Sequence, residues 1–251
     1  SGLIHAGFDS WEHTLKAKLC VRGNYLYENL AKELSVPFKR CGCIVVGDDL
    51  EVIKTLYNRG VTNNVPGMEI LEYDQLKELV PDLTDNNKYG LYSKTAGIIS
   101  PYLFTIALAE EAILNGAEVK LNYKVTKVIN NNGIFEICDE KGNLTQSKVV
   151  INAAGNGYNE VAQILNAEKY NIEYKRGEYF VLDSTVSGLA NLTIFPLPTP
   201  GSKGILVTPT IDGNILVGPT SYLSDASVIT TTDGLKQIKE RSGGLINSVP
   251  F

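Results

Sequence analysis

The sequence predicts a mixed α/β fold built on more than one sheet, and three observations carry that expectation. Helical and strand periodicities are interleaved along 251 residues, but not as a clean succession of strand, helix and parallel strand. Apolar residues make up 43% of the chain, enough to bury a substantial core. Short alternating runs separated by turn residues cluster in 118–139 and again in 178–218, which sets hairpin ladders beside the helices. The expected class is α/β with α+β character, its sheets mixed and largely antiparallel.

Leu15, Leu19, Leu26, Leu30 and Leu34 recur near the helical period, with Lys16, Lys18, Arg22, Glu28, Lys32 and Glu33 between them. That spacing predicts one long amphipathic helix over 14–35, ended by Pro37. Residues 41–46 read as a β-branched strand closed by Gly47, Asp48 and Asp49. Asp49 caps a second helix to about residue 60, and a short helix follows Glu72, Tyr73 and Asp74 until Pro81 stops it. Residues 90–93 and 97–99 read as strands. Ser100 and Pro101 supply an N-cap and a first-turn proline for a helix to Asn115 and Gly116. Strands are expected over 118–121, 124–130 and 134–139, with turns at 131–133 and 141–143. The apolar run 148–152 reads as a strand covered on both faces. A helix over 159–166 precedes strands at 178–182, 192–195, 205–209 and 214–218, the last two joined at Asp212 and Gly213. A final helix starts near Thr232 and Asp233.

The charge balance, 23 basic against 28 acidic residues for a net −5, leaves no basic stripe for a phosphodiester backbone, so nucleic acid is not an expected partner. No apolar run approaches the roughly 20 residues of a membrane-spanning helix, and no signal-like segment opens the chain. The chain therefore reads as soluble and cytoplasmic. Cys20, Cys41, Cys43 and Cys138 are too sparse for a disulfide framework. Cys41 and Cys43 lack a second Cys/His pair at ligand spacing and read as small buried residues of a strand, with no metal site.

Few residues invite chemistry. His5 lies in an apolar loop between Gly2 and Gly7, which permit close backbone approach to a planar ring system. An imidazole there is either a satisfied structural residue or a base suited to neutral pH. Arg176, followed by Gly177, either forks onto a substrate carboxylate or phosphate or pairs with Glu173 or Glu178. Tyr179 points to the opposite face from Glu178 and can line a pocket. The stretch Gly155, Asn156, Gly157 and Glu160 follows an apolar run and opens a helix. It fails as a dinucleotide fingerprint because Glu160 stands where a third glycine belongs. His13, Lys16 and Lys18 have surface positions as their plain reading.

Three stretches, 1–7 (Ser-Gly-Leu-Ile-His-Ala-Gly), 149–155 (Val-Val-Ile-Asn-Ala-Ala-Gly) and 176–179 (Arg-Gly-Glu-Tyr), occur in the order found in the FAD-dependent oxidoreductases of the D-amino-acid-oxidase-like family. The chain resembles that family from residue 1 to about 236. The resemblance implies a flavoenzyme that oxidises an anionic secondary alcohol to a ketone. Glycerol 3-phosphate is the first expected substrate and L-2-hydroxyglutarate the alternative. It implies His5 as the base taking the hydroxyl proton while carbon delivers hydride to the flavin, Arg176 and Tyr179 at the substrate, and Ser1, Gly2, Val125, Ala154 and Gly155 at the FAD. Residues 1–35 and 101–166 are expected to be the remnant of an FAD-binding domain and 36–100 and 167–230 a substrate domain, with 231–251 opening a C-terminal element. Because no G-x-G-x-x-G is present, the chain is expected to be the interior of a larger enzyme and to bind FAD weakly or not at all. Further partners so implied are an electron-acceptor subunit or quinone, with the full enzyme cytoplasmic or peripheral to a membrane. A rival expectation of another class is a non-catalytic ligand-binding module.

Overall fold

The computed structural model describes residues 2–199, 204–224 and 227–251. Its elements run β1 (Leu3–Ile4), α1 (Leu15–Glu33), β2 (Phe38–Lys39), β3 (Cys43–Gly47), α2 (Leu50–Thr62), β4 (Met68–Glu72), α3 (Tyr73–Leu79), β5 (Tyr89–Ser93), β6 (Gly97–Ile99), α4 (Pro101–Leu114), β7 (Val125–Asn131), β8 (Ile134–Asp139), β9 (Leu144–Ser147), α5 (Tyr158–Ile164), β10 (Tyr174–Arg176), β11 (Phe180–Leu182), β12 (Thr193–Pro196), β13 (Leu206–Pro209), β14 (Ile215–Gly218), β15 (Tyr222–Ser224) and α6 (Thr232–Ser242). By packing, the chain divides into one unit of residues 1–112 with 174–251 and a smaller one of residues 113–173. The domain bounds expected from the sequence, 1–35 with 101–166 and 36–100 with 167–230, cut across this division.

The larger unit is built on a seven-stranded mixed sheet in the order β11-β14-β13-β12-β3-β5-β4. Its one parallel pair is β12 with β3, in register from Thr193 with Cys43 to Pro196 with Val46. Side chains alternate across it as the pleat requires. Ile44, Val46, Ile194, Val207, Ile215 and Val217 face one core, capped by Leu76 of α3 and Ile238 of α6. Cys43, Val45, Leu91, Phe195 and Leu206 face a second core with Ile53 and Leu56 of α2, Ala6 and Phe8. The sheet also buries a polar pair: Thr193 and Thr208 are fully buried and their hydroxyls meet at 2.6 Å. A three-stranded sheet β1-β6-β2 and a two-stranded ribbon β10-β15 complete the unit.

Local chemistry explains the helix starts. Thr14 Oγ1 accepts from the Ala17 N–H at 3.1 Å and Asp49 Oδ1 from the Glu51 N–H at 2.9 Å, so each expected N-terminus is capped. Helix α1 differs from expectation in its buried face. Ala17, Asn24 and Ala31, seven residues apart, turn inward, while Leu15 and Leu19 are 70% and 54% exposed. Small residues let this helix lie close to its neighbours, which a row of leucines would hold off. Ser100 does not cap α4 with its side chain either. Its hydroxyl is buried without a hydrogen-bond partner, and the Phe104 N–H bonds the Ser100 carbonyl instead.

The smaller unit holds the antiparallel meander β7-β8-β9 and α5. Two strands expected here are absent. Residues 118–121 form no strand, and 148–152 run without a ladder, with Ile151 84% exposed, because no described strand pairs with either segment. Strand β9, unforeseen, pairs with β8 from Phe135 with Ser147 to Cys138 with Leu144. No helix among the described residues is long and apolar enough to cross a membrane.

Candidate active site

The His5 loop of the larger unit is held by a short ladder and by side chains from α1 and the end of α2. Strand β1 pairs with β6 through Leu3 with Ile98 and Ile4 with Gly97, and the ladder then stops. Gly2 begins it at φ +68°, where an added Cβ would lie 2.2 Å from the Ile99 carbonyl oxygen, so glycine is needed for the strands to meet. Beyond Ile4 side chains take over. Asn24 of α1 donates its amide to the carbonyls of His5 (2.9 Å) and Thr95 (2.8 Å), and Asn63 donates to those of Gly7 (3.0 Å) and Ser10 (2.7 Å). Neither asparagine stands out in the sequence, since each acts on residues distant along the chain.

Thus held, the half-buried His5 side chain lines a cavity of about 40 Å³ with Phe8, Asp9, Val45, Leu56, Phe195, Pro196 and Pro198. Its ring lies 6.2 Å from that of Phe195, tilted by 42°. The register extends one row of side chains from this point across the sheet. Phe195 is one step from the Ile194–Val207 pair and so opposes Leu206, and Leu206 opposes Gly218. Gly218 is followed by a cis bond to Pro219, and a Cβ on it would touch the Tyr179 ring at 2.7 Å. Tyr179 therefore lies on the same sheet face as Phe195, the ring beside His5, with β13 and β14 between them. Burial pushes the Tyr179 phenol above its ordinary range, so it stays protonated at neutral pH.

Arg176 does not line the His5 cavity. Its Nε donates to Glu178 Oε1 at 3.0 Å, which is the ion pair kept open from the sequence. Glu178 is only 4% exposed and accepts from the Thr231 backbone N–H (2.9 Å) and hydroxyl (3.0 Å). Burial pushes its carboxyl up, but the Thr231 donors and the Arg176 cation outweigh that and hold it below the usual carboxylate range. The Arg176 Nη1 and Nη2 groups make no hydrogen bond among the described residues.

Ser1 lies outside the described residues. Lys16, Lys18 and His13 are exposed, His13 at φ 63°. In the smaller unit, Val125 is half-buried at the start of β7, beside a break in register before Lys127. Ala154 and Gly155 are exposed in a bend pinned by Asn152, whose amide donates to the Tyr158 carbonyl (3.0 Å) and whose Oδ1 accepts from the Ala154 N–H (3.2 Å). Gly155 has φ +55°, and no atom lies within 4 Å of the place a Cβ would take. An uncovered bend of small residues fits a planar cofactor laid against the backbone. No group of three His, Cys, Asp or Glu able to hold a metal occurs among the described residues. A wide groove of about 980 Å³ runs along α1, lined by Lys18, Arg22, Tyr25, Glu28 and Arg40 among others, and holds none of the expected site residues.

Residues 1–246 match the family described as FAD dependent oxidoreductase. The chain is 38% identical over its whole length to a glycerol 3-phosphate dehydrogenase of Caloramator mitchellensis, covering 53% of that protein. It is 29% identical over 89% of its length to the L-2-hydroxyglutarate dehydrogenase of Escherichia coli (strain K12), covering 54% of it. Among solved structures it superposes on dithionite-reduced L-alpha-glycerophosphate oxidase from Mycoplasma pneumoniae with FAD bound. That match has a TM-score of 0.90 and 26% identity, over all of this chain and 68% of the other. The chain spans about half the length of most curated relatives it matches.

Proposed function

The chain belongs to the FAD dependent oxidoreductase family, and from that premise we propose that the whole protein oxidises a small anionic secondary alcohol to its ketone, with glycerol 3-phosphate the first substrate and L-2-hydroxyglutarate the alternative. The observation that carries this reading is His5, held by its backbone at the mouth of an apolar cavity, in a chain 38% identical to a glycerol 3-phosphate dehydrogenase.

FAD, when bound, supplies the hydride acceptor that no side chain can provide. The residues we assign to it are Gly2 in the larger unit and Val125, Ala154 and Gly155 in the smaller one taken by itself; Ser1, also expected there, lies outside the described residues. His5 takes the proton from the substrate hydroxyl. Phe8, Asp9, Val45, Leu56 and Phe195 line the cavity beside that imidazole. Arg176 is assigned to the substrate anion through Nη1 and Nη2, and Tyr179, which does not line the His5 cavity, to the substrate as a neutral phenol. Functionally, 1–35 and 101–166 serve the cofactor, 36–100 and 167–230 the substrate, and 231–251 begin a C-terminal element. Electrons leave to a partner subunit or a quinone, in the cytoplasm or at a membrane surface.

The test is steady-state oxidation by the FAD-loaded whole protein with an artificial electron acceptor, offering each alcohol in turn. Turnover of glycerol 3-phosphate at higher kcat/KM is expected, and His5→Ala should slow flavin reduction at least about a hundredfold. Inactivity towards both alcohols would sink the assignment.

A further inference from the structure

We infer that Asn24, oriented by Arg40, is a positioning residue for His5. The inference rests on the proposed role of His5 as base. Strands β1 and β6 part after the Ile4–Gly97 pair, and the carbonyls of His5, next after Ile4, and of Thr95, two residues before Gly97, converge on the Asn24 amide group, which donates to both (2.9 and 2.8 Å). Asn24 thus acts as a bracket where the ladder ends. It is 7% exposed, and Cys20 Sγ adds a weaker contact to the same His5 oxygen at 3.9 Å.

The bracket is itself oriented. Arg40 follows β2, the other neighbour of β6, and donates from Nη1 to Asn24 Oδ1 (2.8 Å) and from Nη2 to the Asn24 carbonyl (2.8 Å). Its Nη1 also reaches the Thr95 carbonyl, and its Nε pairs with Glu28 at 3.1 Å. The oxygen of the Asn24 side chain faces the guanidinium, so its two N–H groups must face the carbonyls; a flipped amide would set oxygen against oxygen. The three elements that meet at His5 are thereby tied through one side chain. An imidazole whose backbone is fixed to a fraction of an ångström can meet a substrate hydroxyl at hydrogen-bond distance, and a shift of about 1 Å costs on the order of a hundredfold in rate.

The test is the rate of flavin reduction by glycerol 3-phosphate in the FAD-loaded whole protein, with substrate Kd taken from its saturation. Asn24→Ala should slow reduction at least about twentyfold with Kd changed less than about threefold. In a His5→Ala background the same substitution should add less than about twofold, because there is no base left to misplace. A purely structural defect would slow both backgrounds alike, and that result, or a rate within about threefold of wild type, overturns the inference. Should Asn24→Ala fail to fold, Arg40→Met carries the same expectation with a smaller loss, and equal loss in both backgrounds overturns it again. If wild type reduces no flavin with either alcohol, or His5→Ala is as fast as wild type, the functional reading itself falls and this role with it.

Discussion

Glu178 accepts two hydrogen bonds from Thr231, 53 residues further along the chain, one from its backbone N–H at 2.9 Å and one from its hydroxyl at 3.0 Å. Gly234, in the first turn of α6, makes the contact possible, because a Cβ there would lie 2.0 Å from Glu178 Oε2. The Arg-Gly-Glu-Tyr stretch is therefore two-sided. Its carboxylate fastens the last helix, and its tyrosine lies on the sheet face of Phe195, the ring beside His5.

The carboxylate makes stability depend on acid. Burial raises the Glu178 carboxyl, the Thr231 donors and Arg176 lower it further, and the net is a folded-state value below the ordinary one. A depressed value stabilises the fold above the unfolded carboxyl range near about 4.3, and the gain is lost as pH falls through the folded value. Glu178→Gln should cost about 1–3 kcal/mol at neutral pH. Urea unfolding at about pH 7 and about pH 2 should show the gap to wild type closing in acid; an equal gap at both would refute the charge argument.

Two glycine-to-alanine changes in helices should act in opposite directions. Gly23 lies within α1, and no atom comes within 4 Å of the place its Cβ would take, so Gly23→Ala should stabilise by about 0.5–1 kcal/mol. Gly234→Ala has the same propensity gain but collides with Glu178, and should cost about 2 kcal/mol. Thermal melts rank the three proteins, and a stabilised Gly234→Ala would mean the carboxylate is free to move.

The threonine pair inside the sheet predicts non-additivity. Thr208→Val leaves the Thr193 hydroxyl buried without its 2.6 Å partner and should cost about 1–3 kcal/mol. Replacing both with valine removes the orphan and should cost less than the sum of the single changes. Additive losses in denaturant unfolding would show that the hydroxyls do not depend on each other.

Cofactor affinity of the 251-residue chain should be low. Gly155 and its neighbours offer a bend but not the strand, glycine fingerprint and helix start that bind a pyrophosphate. Titration followed by flavin absorbance or fluorescence should give weak or no binding, and a tight one-to-one complex would contradict it.

Much of the local structure was legible in the residues. The start of α1 near residue 14, the Asp49 cap, the Asp212–Gly213 turn between β13 and β14 and the start of α6 all depend on contacts within a few positions, and each lies where the sequence puts it. The segments misread were short strands or runs without a paired neighbour, β9 among them although its partner β8 adjoins it. Strands β2, β10 and β15 are too short to carry a period, and residues 148–152 have strand composition without a paired neighbour. The leucines of α1 mark a helix correctly but not its inner face, which small residues occupy for close packing.

The candidate site divides along the same line. His5 attracts notice because an imidazole between glycines is chemically unusual, and Arg176 and Tyr179 because a charged stretch opens a strand. Nothing in the chain's order announces Asn24, Asn63, Arg40 or Thr231, whose roles arise only when α1, α2, β2 and α6 are brought against the loop and the strand they hold. Residue chemistry and short-range periodicity specify elements and reactive groups, since both act within a few bonds of the backbone. Which face turns inward, which carbonyls an amide must satisfy and where a cation points were decided by packing, because each depends on free energy shared between segments far apart along the chain.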